Sequence, residues 1–145
     1  MPKTLLASLA AALTLAATAA HAGPIDDARA HFQAVGSGDL SAIMQAYAEH
    51  TQFNWVGGPL DGTYTTQDAI RGVWAKFTKG QGPLKVKVGT LEESANPKGA
   101  TVSANVMFEG QMPIKVRYLL TFREEKIVSE TWQIDPSLNV DAATY

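Results

Sequence analysis

Residues 101–122, TVSANVMFEGQMPIKVRYLLTF, decide the fold class, because apolar and polar residues alternate through two runs that a turn separates. The runs are 101–108 and 114–122, and the turn contains Gly110 and Pro113. Alternation with a period of two is typical of a strand with one buried face. The stretch therefore predicts an antiparallel hairpin with one apolar side.

The same alternation continues on both sides of this hairpin. Residues 84–88 alternate before it, and residues 127–134 alternate after it, separated by turns at 96–99 and 124–125. The pattern predicts a four-strand meander. On its wet face it predicts basic residues and three apolar ones, Met107, Leu119 and Ile127. After Pro136 the pattern stops, and residues 137–145 are expected to form a loosely ordered tail.

Helical spacing replaces the period of two in the earlier part of the chain. Apolar residues recur at helical intervals in 25–35, in 40–47 after an N-cap at Asp39, and in 69–77 after a cap at Thr65 or Thr66. The second of these helices is expected to include Tyr47, and a short strand is expected at 51–56. Three helices followed by a strand meander predict one α+β domain over residues 23–136, with the helices covering the sheet.

The N-terminus has the three parts of a secretory signal. Lys3 is followed by an apolar run to Ala20, and Ala20-His21-Ala22 is a small-x-small cleavage site. A membrane anchor was the alternative, but the run is short and no basic cluster follows it. Cleavage after Ala22 and a periplasmic or secreted location are therefore expected.

The amino-acid composition argues against several classes of binding partner and of functional site. The chain has 12 basic and 14 acidic residues and no cysteine, so it has neither a disulfide framework nor a cysteine-based site. Basic clusters are absent, which argues against nucleic acid and against a membrane partner after cleavage. The two histidines after the signal, His31 and His50, lack metal-binding spacing, so neither a metal nor another cofactor is expected.

Three short motifs mark a family resemblance: Gly38-Asp39-Leu40, the glycine-rich turn before Asp61-Gly62, and the helix start Asp68-Ala69-Ile70-Arg71. In this order they resemble the nuclear transport factor 2-like superfamily, and within it the SnoaL-like and ketosteroid isomerase-like branch. The resemblance implies a cone-shaped domain, a cystatin-like roll, whose curved sheet leaves a pocket at its wide end. It also implies pairing of two copies through their sheets.

The isomerase activity of that branch is not expected here. When its pattern is aligned from Gly38-Asp39, the catalytic base falls on Trp55, the tyrosine on His31 and the protonated acid on Leu120. Tryptophan cannot abstract a proton, and leucine cannot donate a hydrogen bond.

Two residues are candidates for acid–base chemistry. Glu130 shares its strand parity with Trp132, so it is expected to point towards the apolar side, where an unpaired carboxylate costs several kcal/mol. His31 lies at the edge of an apolar helical stripe and could be its partner. The alternatives are that a bulge or the sheet rim exposes Glu130, and that His31 bonds locally.

Five aromatic residues fall on predicted apolar faces and are candidate pocket residues for a small apolar or aromatic molecule; these residues are Phe53, Trp55, Trp74, Tyr118 and Trp132. Ordinary core packing is the alternative. The leading hypothesis is a binding protein, the second is a SnoaL-like enzyme that uses His31 and Glu130, and the third is a module that pairs through its sheet.

Overall fold

The computed structural model describes residues 23–141, which form one α+β domain of three helices and six strands. The helices pack against a curved, unclosed sheet, as the resemblance implies. In chain order the elements are α1 (Pro24–Ser37), α2 (Leu40–Gln45), β1 (Tyr47–Val56), β2 (Gly62–Tyr64), α3 (Gln67–Gln81), β3 (Lys85–Asn96), β4 (Gly99–Glu109), β5 (Pro113–Arg123) and β6 (Lys126–Ile134). Residues 1–22, with the predicted signal, lie outside the described part.

The sheet has the strand order β2-β1-β6-β5-β4-β3. The predicted meander from β3 to β6 is antiparallel throughout, and β1 joins its last strand in a parallel pair. Because β1 and β6 are neighbours, residues from the front and the back of the chain meet on the same face of the sheet. This arrangement positions the candidate site.

Side-chain caps define the starts of two helices, as the sequence predicts. The Asp39 side chain accepts a hydrogen bond from the Ala42 amide at 3.1 Å, and Thr66 accepts one from the Ala69 amide at the same distance. Such caps satisfy amides that have no partner within the helix. Of the described helices, none has the length and apolar character needed to cross a bilayer.

The predicted boundary between the second helix and the first strand is wrong. The helix ends at Gln45, and the strand begins at Tyr47 rather than at residue 51. The Ile127 amide donates to the Ala46 carbonyl at 2.8 Å, so pairing with β6 begins where the helical pattern continues. Tertiary pairing overrides the local helical spacing here. His50 is therefore an exposed residue of β1.

The predicted outward position of Ile127 is also wrong, because its side chain is buried. The pairing of β5 with β6 shifts register: Thr121 lies opposite Ser129, and Phe122 lies opposite Ile127. Val128 is the extra residue of this bulge. A bulge reverses the side to which the residues beyond it point, which turns Ile127 inward while leaving Glu130 on its predicted side.

Part of the C-terminal tail crosses the sheet instead of leaving it. The Asn105 side chain on β4 donates to the Asn139 carbonyl at 3.0 Å, and Val140 is buried beside Gly89 of β3. A glycine inside a strand often marks the close approach of another backbone. Residues 137–141 are thus held more closely than their sequence suggests, and residues 142–145 lie outside the described part.

Candidate functional site

A buried carboxylate lies at the centre of the domain. The Glu130 side chain is fully buried, on the side of β6 that strand parity predicts. Its closest neighbours come from both ends of the chain, because β6 lies between β1 and β5 in the sheet. A carboxylate in such a position needs strong partners to offset the loss of water.

Three donors surround this carboxylate. His31 Nε2 lies 2.7 Å from Oε2 of Glu130, the Tyr118 hydroxyl donates to Oε2 at 3.0 Å, and the Tyr47 hydroxyl donates to Oε1. The Trp74 indole N–H in turn donates to the Tyr47 oxygen at 2.7 Å. An ionised carboxylate accepts hydrogen bonds and donates none, so this set of donors fits the charged form of Glu130. We call these five residues the Glu130 cluster.

Both tyrosines of the Glu130 cluster are held in their neutral form. Burial raises the pKa of Tyr47 well above its usual range, and the negative charge of Glu130 raises it further. Burial also raises the pKa of Tyr118, again with a second contribution from Glu130. The two hydroxyls therefore remain donors to the carboxylate at neutral pH.

The second ring nitrogen of His31, Nδ1, differs from Nε2 in its hydrogen bonding. Among the residues that the structure describes, none forms a hydrogen bond to the buried Nδ1 atom of His31. One nitrogen is bonded to a carboxylate and the other is unpaired, which is how a carboxylate orients an imidazole base. The arrangement can accept a proton from any group that reaches Nδ1.

His31 also borders the protein surface. It lines a depression of about 420 Å³ between α1, α2 and the β5–β6 turn, together with Ala34, Ala46 and Phe122. The His31 side chain itself is fully buried, so the imidazole has no exposed surface in this depression.

The five predicted pocket aromatics form a continuous packed cluster. Trp132 stacks on Trp55 with ring centroids 4.6 Å apart, and Phe53 stacks on Trp74 at 5.3 Å. Tyr118 meets the Trp132 ring edge-on at 5.5 Å. All five are buried, and such aromatic pairs stabilise a core beyond the area that they bury. The structure thus brings all five together, through stacked and edge-on ring contacts.

An open cleft of about 570 Å³ lies beside this cluster, and Trp55 is the predicted aromatic residue that lines it. The loop before β2, α3, the start of β5 and the end of β6 form its walls. Its apolar lining consists mainly of Trp55, Leu60, Phe77, Pro113, Ile114 and Ile134. Pockets of this size and character are typical of small-molecule sites.

Sequence reasoning missed two parts of these sites. The helical spacing includes Tyr47, although Tyr47, Thr51, Phe53 and Trp55 share one strand parity and are all buried. The pattern gives no continuous signal, because Glu49 at the same parity is exposed and the pairing with β6 shifts register between Tyr47 and Gln52. The cleft left no local signal, because its lining residues come from four separate segments.

The residues that could hold a metal do not come together. Between residues 23 and 141, the structure contains no group of three or more side chains suited to bind a metal ion. The isomerase pattern is absent as well: Leu120 pairs with Glu130 across the strands, and Trp55 belongs to the aromatic cluster.

Comparison with solved structures supports the fold. A protein of unknown function with the nuclear transport factor 2-like fold, from Pseudomonas putida KT2440, superposes with a TM-score of 0.66 at 16% identity, over 81% of this chain and 89% of the other. A putative dehydratase from the same fold family in Streptomyces avermitilis gives 0.63 at 14% identity, over 77% and 92%.

A third structure has a different described role. A putative calcium/calmodulin-dependent protein kinase type II association domain from Thiobacillus denitrificans gives a TM-score of 0.65 at 14% identity, over 77% of this chain and 94% of the other. At such identities the likeness establishes the fold alone. No curated protein matches the sequence.

The sequence itself matches a family model. The model of the SnoaL-like domain covers residues 28–130, from the first helix to the buried glutamate. The chain therefore belongs to the SnoaL-like domain family of the nuclear transport factor 2-like superfamily.

Proposed function

We propose that this protein binds a small, largely apolar molecule in the cleft between α3, β5 and β6. The cleft itself carries this proposal: about 570 Å³ of open volume walled by Trp55, Phe77, Ile114 and Ile134. Transfer of an apolar ligand from water to such a surface contributes roughly 25 cal/mol per Å² of apolar area covered.

The aromatic cluster supports the proposal as a rigid wall. Trp55 is fixed on one side by Trp132 and on another by Phe77, at ring distances of 4.6 and 5.3 Å. Its indole N–H donates to the Gly57 carbonyl at 3.1 Å, which fixes the ring orientation. A surface that is ordered before binding loses little conformational freedom on binding.

Tryptophan fluorescence tests the proposal directly. Titration with a panel of apolar compounds should give a saturable change in the wild type and none in Ile114→Glu, which places a charge in the cleft. Gln33→Glu is the control, because Gln33 is exposed on α1, which does not line the cleft. No saturable change across the panel, or equal binding by both variants, would contradict the proposal.

A second candidate function is acid–base catalysis by His31 and Glu130. Its support is the pairing of His31 Nε2 with Glu130, together with the unpaired Nδ1 and the place of His31 among the residues that line the surface depression. In this function His31 removes a proton from the carbon next to the carbonyl group of a bound compound and later returns one to the substrate.

Deuterium incorporation would detect this reaction. The wild type in heavy water should exchange the proton beside the carbonyl of a substrate, and Glu130→Gln should abolish exchange while binding persists. Glu93→Gln, the same change at an exposed residue of β3, is the control. Exchange that continues unchanged in Glu130→Gln would rule out this function.

We also propose that the mature protein is exported and begins at Gly23. The support is the n-region, the apolar run and the Ala20-His21-Ala22 site in residues 1–22. The intact mass of protein recovered from the periplasm tests this. A chain that retains residues 1–22 would contradict it.

Pairing of two copies through their sheets is proposed on the family resemblance and on the exposed Leu119. Light scattering after gel filtration at two concentrations should give a dimer mass, which Leu119→Glu should reduce. A wild type that remains monomeric at both concentrations would refute the pairing.

A further inference from the structure

The charged residues that line the cleft all have the same sign. Lys76 of α3 and Lys115 of β5 line it from different walls, and the lining contains no aspartate or glutamate. This contrasts with the chain as a whole, in which acidic residues outnumber basic ones. The local charge is therefore opposite to the net charge of the protein.

Neither lysine is neutralised by a neighbour. Within residues 23–141, the Lys76 and Lys115 ammonium groups form no ion pair. Two aspartates lie next to lining residues in sequence, and the Asp135 amide donates to the Lys115 carbonyl at 2.9 Å, but neither carboxylate forms an ion pair with Lys76 or Lys115. Asp135 accepts from the Ser137 amide and hydroxyl, and Asp61 accepts from the Gly57 amide.

One feature of the cleft opposes negative charge. The last turn of α3, with Gly80 and Gln81, also lines the cleft, and a helix C-terminus carries about half a negative charge. The two full positive charges of Lys76 and Lys115 exceed this partial negative charge. Lys115 is half-buried, and Lys76 is exposed.

From these observations we infer that the cleft binds an amphiphilic anion, an apolar body with a carboxylate or comparable acidic head group. This inference rests on the proposed function of the same cleft. The apolar body lies against Trp55, Phe77 and Ile134, and the head group lies between Lys76 and Lys115. A neutral molecule of the same shape keeps the apolar contacts and loses the two charge-assisted contacts.

A matched pair of ligands tests the inference. Decanoate and decan-1-ol, each below its aggregation limit, are titrated against the wild type with tryptophan fluorescence as the readout. Decanoate should bind at least threefold more tightly than the alcohol, and its advantage should shrink when the salt concentration is raised.

The lysine variants identify the source of that preference. Lys76→Ala and Lys115→Ala should each weaken decanoate binding about threefold to tenfold and leave the alcohol unchanged. Lys79→Ala is the matched control, because Lys79 is an exposed lysine of the same helix that does not line the cleft. Lys76→Glu should reverse the preference, and because Lys76 is exposed the change should shift stability by less than about 0.5 kcal/mol.

The outcomes separate the two proposals. Equal affinity for both ligands, or a preference for decylammonium, overturns the anionic ligand and leaves the apolar cleft in place. An anion preference that survives Lys76→Glu and Lys115→Ala also overturns it. Absence of saturable binding by either ligand counts against the proposed function itself.

Discussion

His31 and Glu130, which are 99 residues apart in the chain, meet inside the domain with Nε2 and Oε2 separated by 2.7 Å. The contact joins the first helix to the last strand and is fully buried on both sides. Replacing one partner of such a contact leaves the other buried without compensation, which makes the pair a sensitive point of the fold.

Glu130→Gln should lower the free energy of unfolding by about 2–4 kcal/mol. The amide keeps the shape of the side chain but presents an NH2 group to a set of donors, so at least one hydrogen bond is lost. Urea unfolding followed by circular dichroism would measure this. Glu93→Gln, an exposed change on β3, is the control and should shift stability by less than about 0.5 kcal/mol. An equal shift in both variants would refute the structural importance of the Glu130 cluster.

Stability should fall at alkaline pH because of Tyr47 and Tyr118. Their pKa values are raised in the folded protein, mainly by burial and further by Glu130. Above about pH 10 the unfolded tyrosines release their protons while the folded ones retain them, so rising pH favours unfolding. The stabilisation is complete below pH 10 and is lost progressively as pH rises towards the folded pKa values. Each tyrosine contributes a slope of about 1.4 kcal/mol per pH unit, and Tyr118→Phe should reduce the measured slope by one such contribution.

Two helical glycines should respond in opposite directions to alanine. A Cβ at Gly72 of α3 meets no atom within 4 Å, so Gly72→Ala should raise stability by about 0.5–1 kcal/mol through helix propensity. At Gly36 of α1 the same atom would collide with the Val86 side chain and the Leu84 carbonyl. Gly36→Ala should therefore destabilise by about 1–3 kcal/mol. Thermal unfolding of the two variants would show it, and a stabilised Gly36→Ala would mean that α1 and β3 are not packed this closely.

Gly89→Val should release the C-terminal tail. A Cβ added at Gly89 would lie 3.2 Å from the backbone of Val140, and the branched side chain of valine needs still more room. Faster amide exchange at residues 139–141 is expected, with little change in global stability, because the tail adds few contacts to the core. Protection of these amides equal to that of the wild type would show that the tail is held by other contacts.

The fold class was predictable because each half of the chain has a clear period. The position of Glu130 was predictable for the same reason, since its parity with Trp132 survives the bulge at Val128. The buried position of Ile127 was not predictable, because the bulge at Val128 separates Ile127 from the rest of the strand and no glycine marks that bulge. Tyr47 fits both a helical and a strand pattern, and pairing of β1 with β6 decides between them.

The family resemblance implies a pocket, and Trp55 was a candidate for it, but most of the cleft lining could not be predicted. Phe77, Ile114 and Ile134 each fit the pattern of core residues in their own segment. Whether a space remains between segments depends on the curvature of the sheet and on how its ends diverge, which no local pattern encodes.

The parallel pairing of β1 with β6 also determines when the sheet can be completed during synthesis of the chain. Tyr47 of β1 and Glu130 of β6 are 83 residues apart in the chain. During synthesis, the edge of β1 that pairs with β6 therefore stays uncovered until β6 has been made. Until then it exposes unpaired amides and carbonyls that other chains could pair with, a known route to aggregation. A chain that ends before β6 therefore loses the strand that joins β1 to β5 in the middle of the sheet.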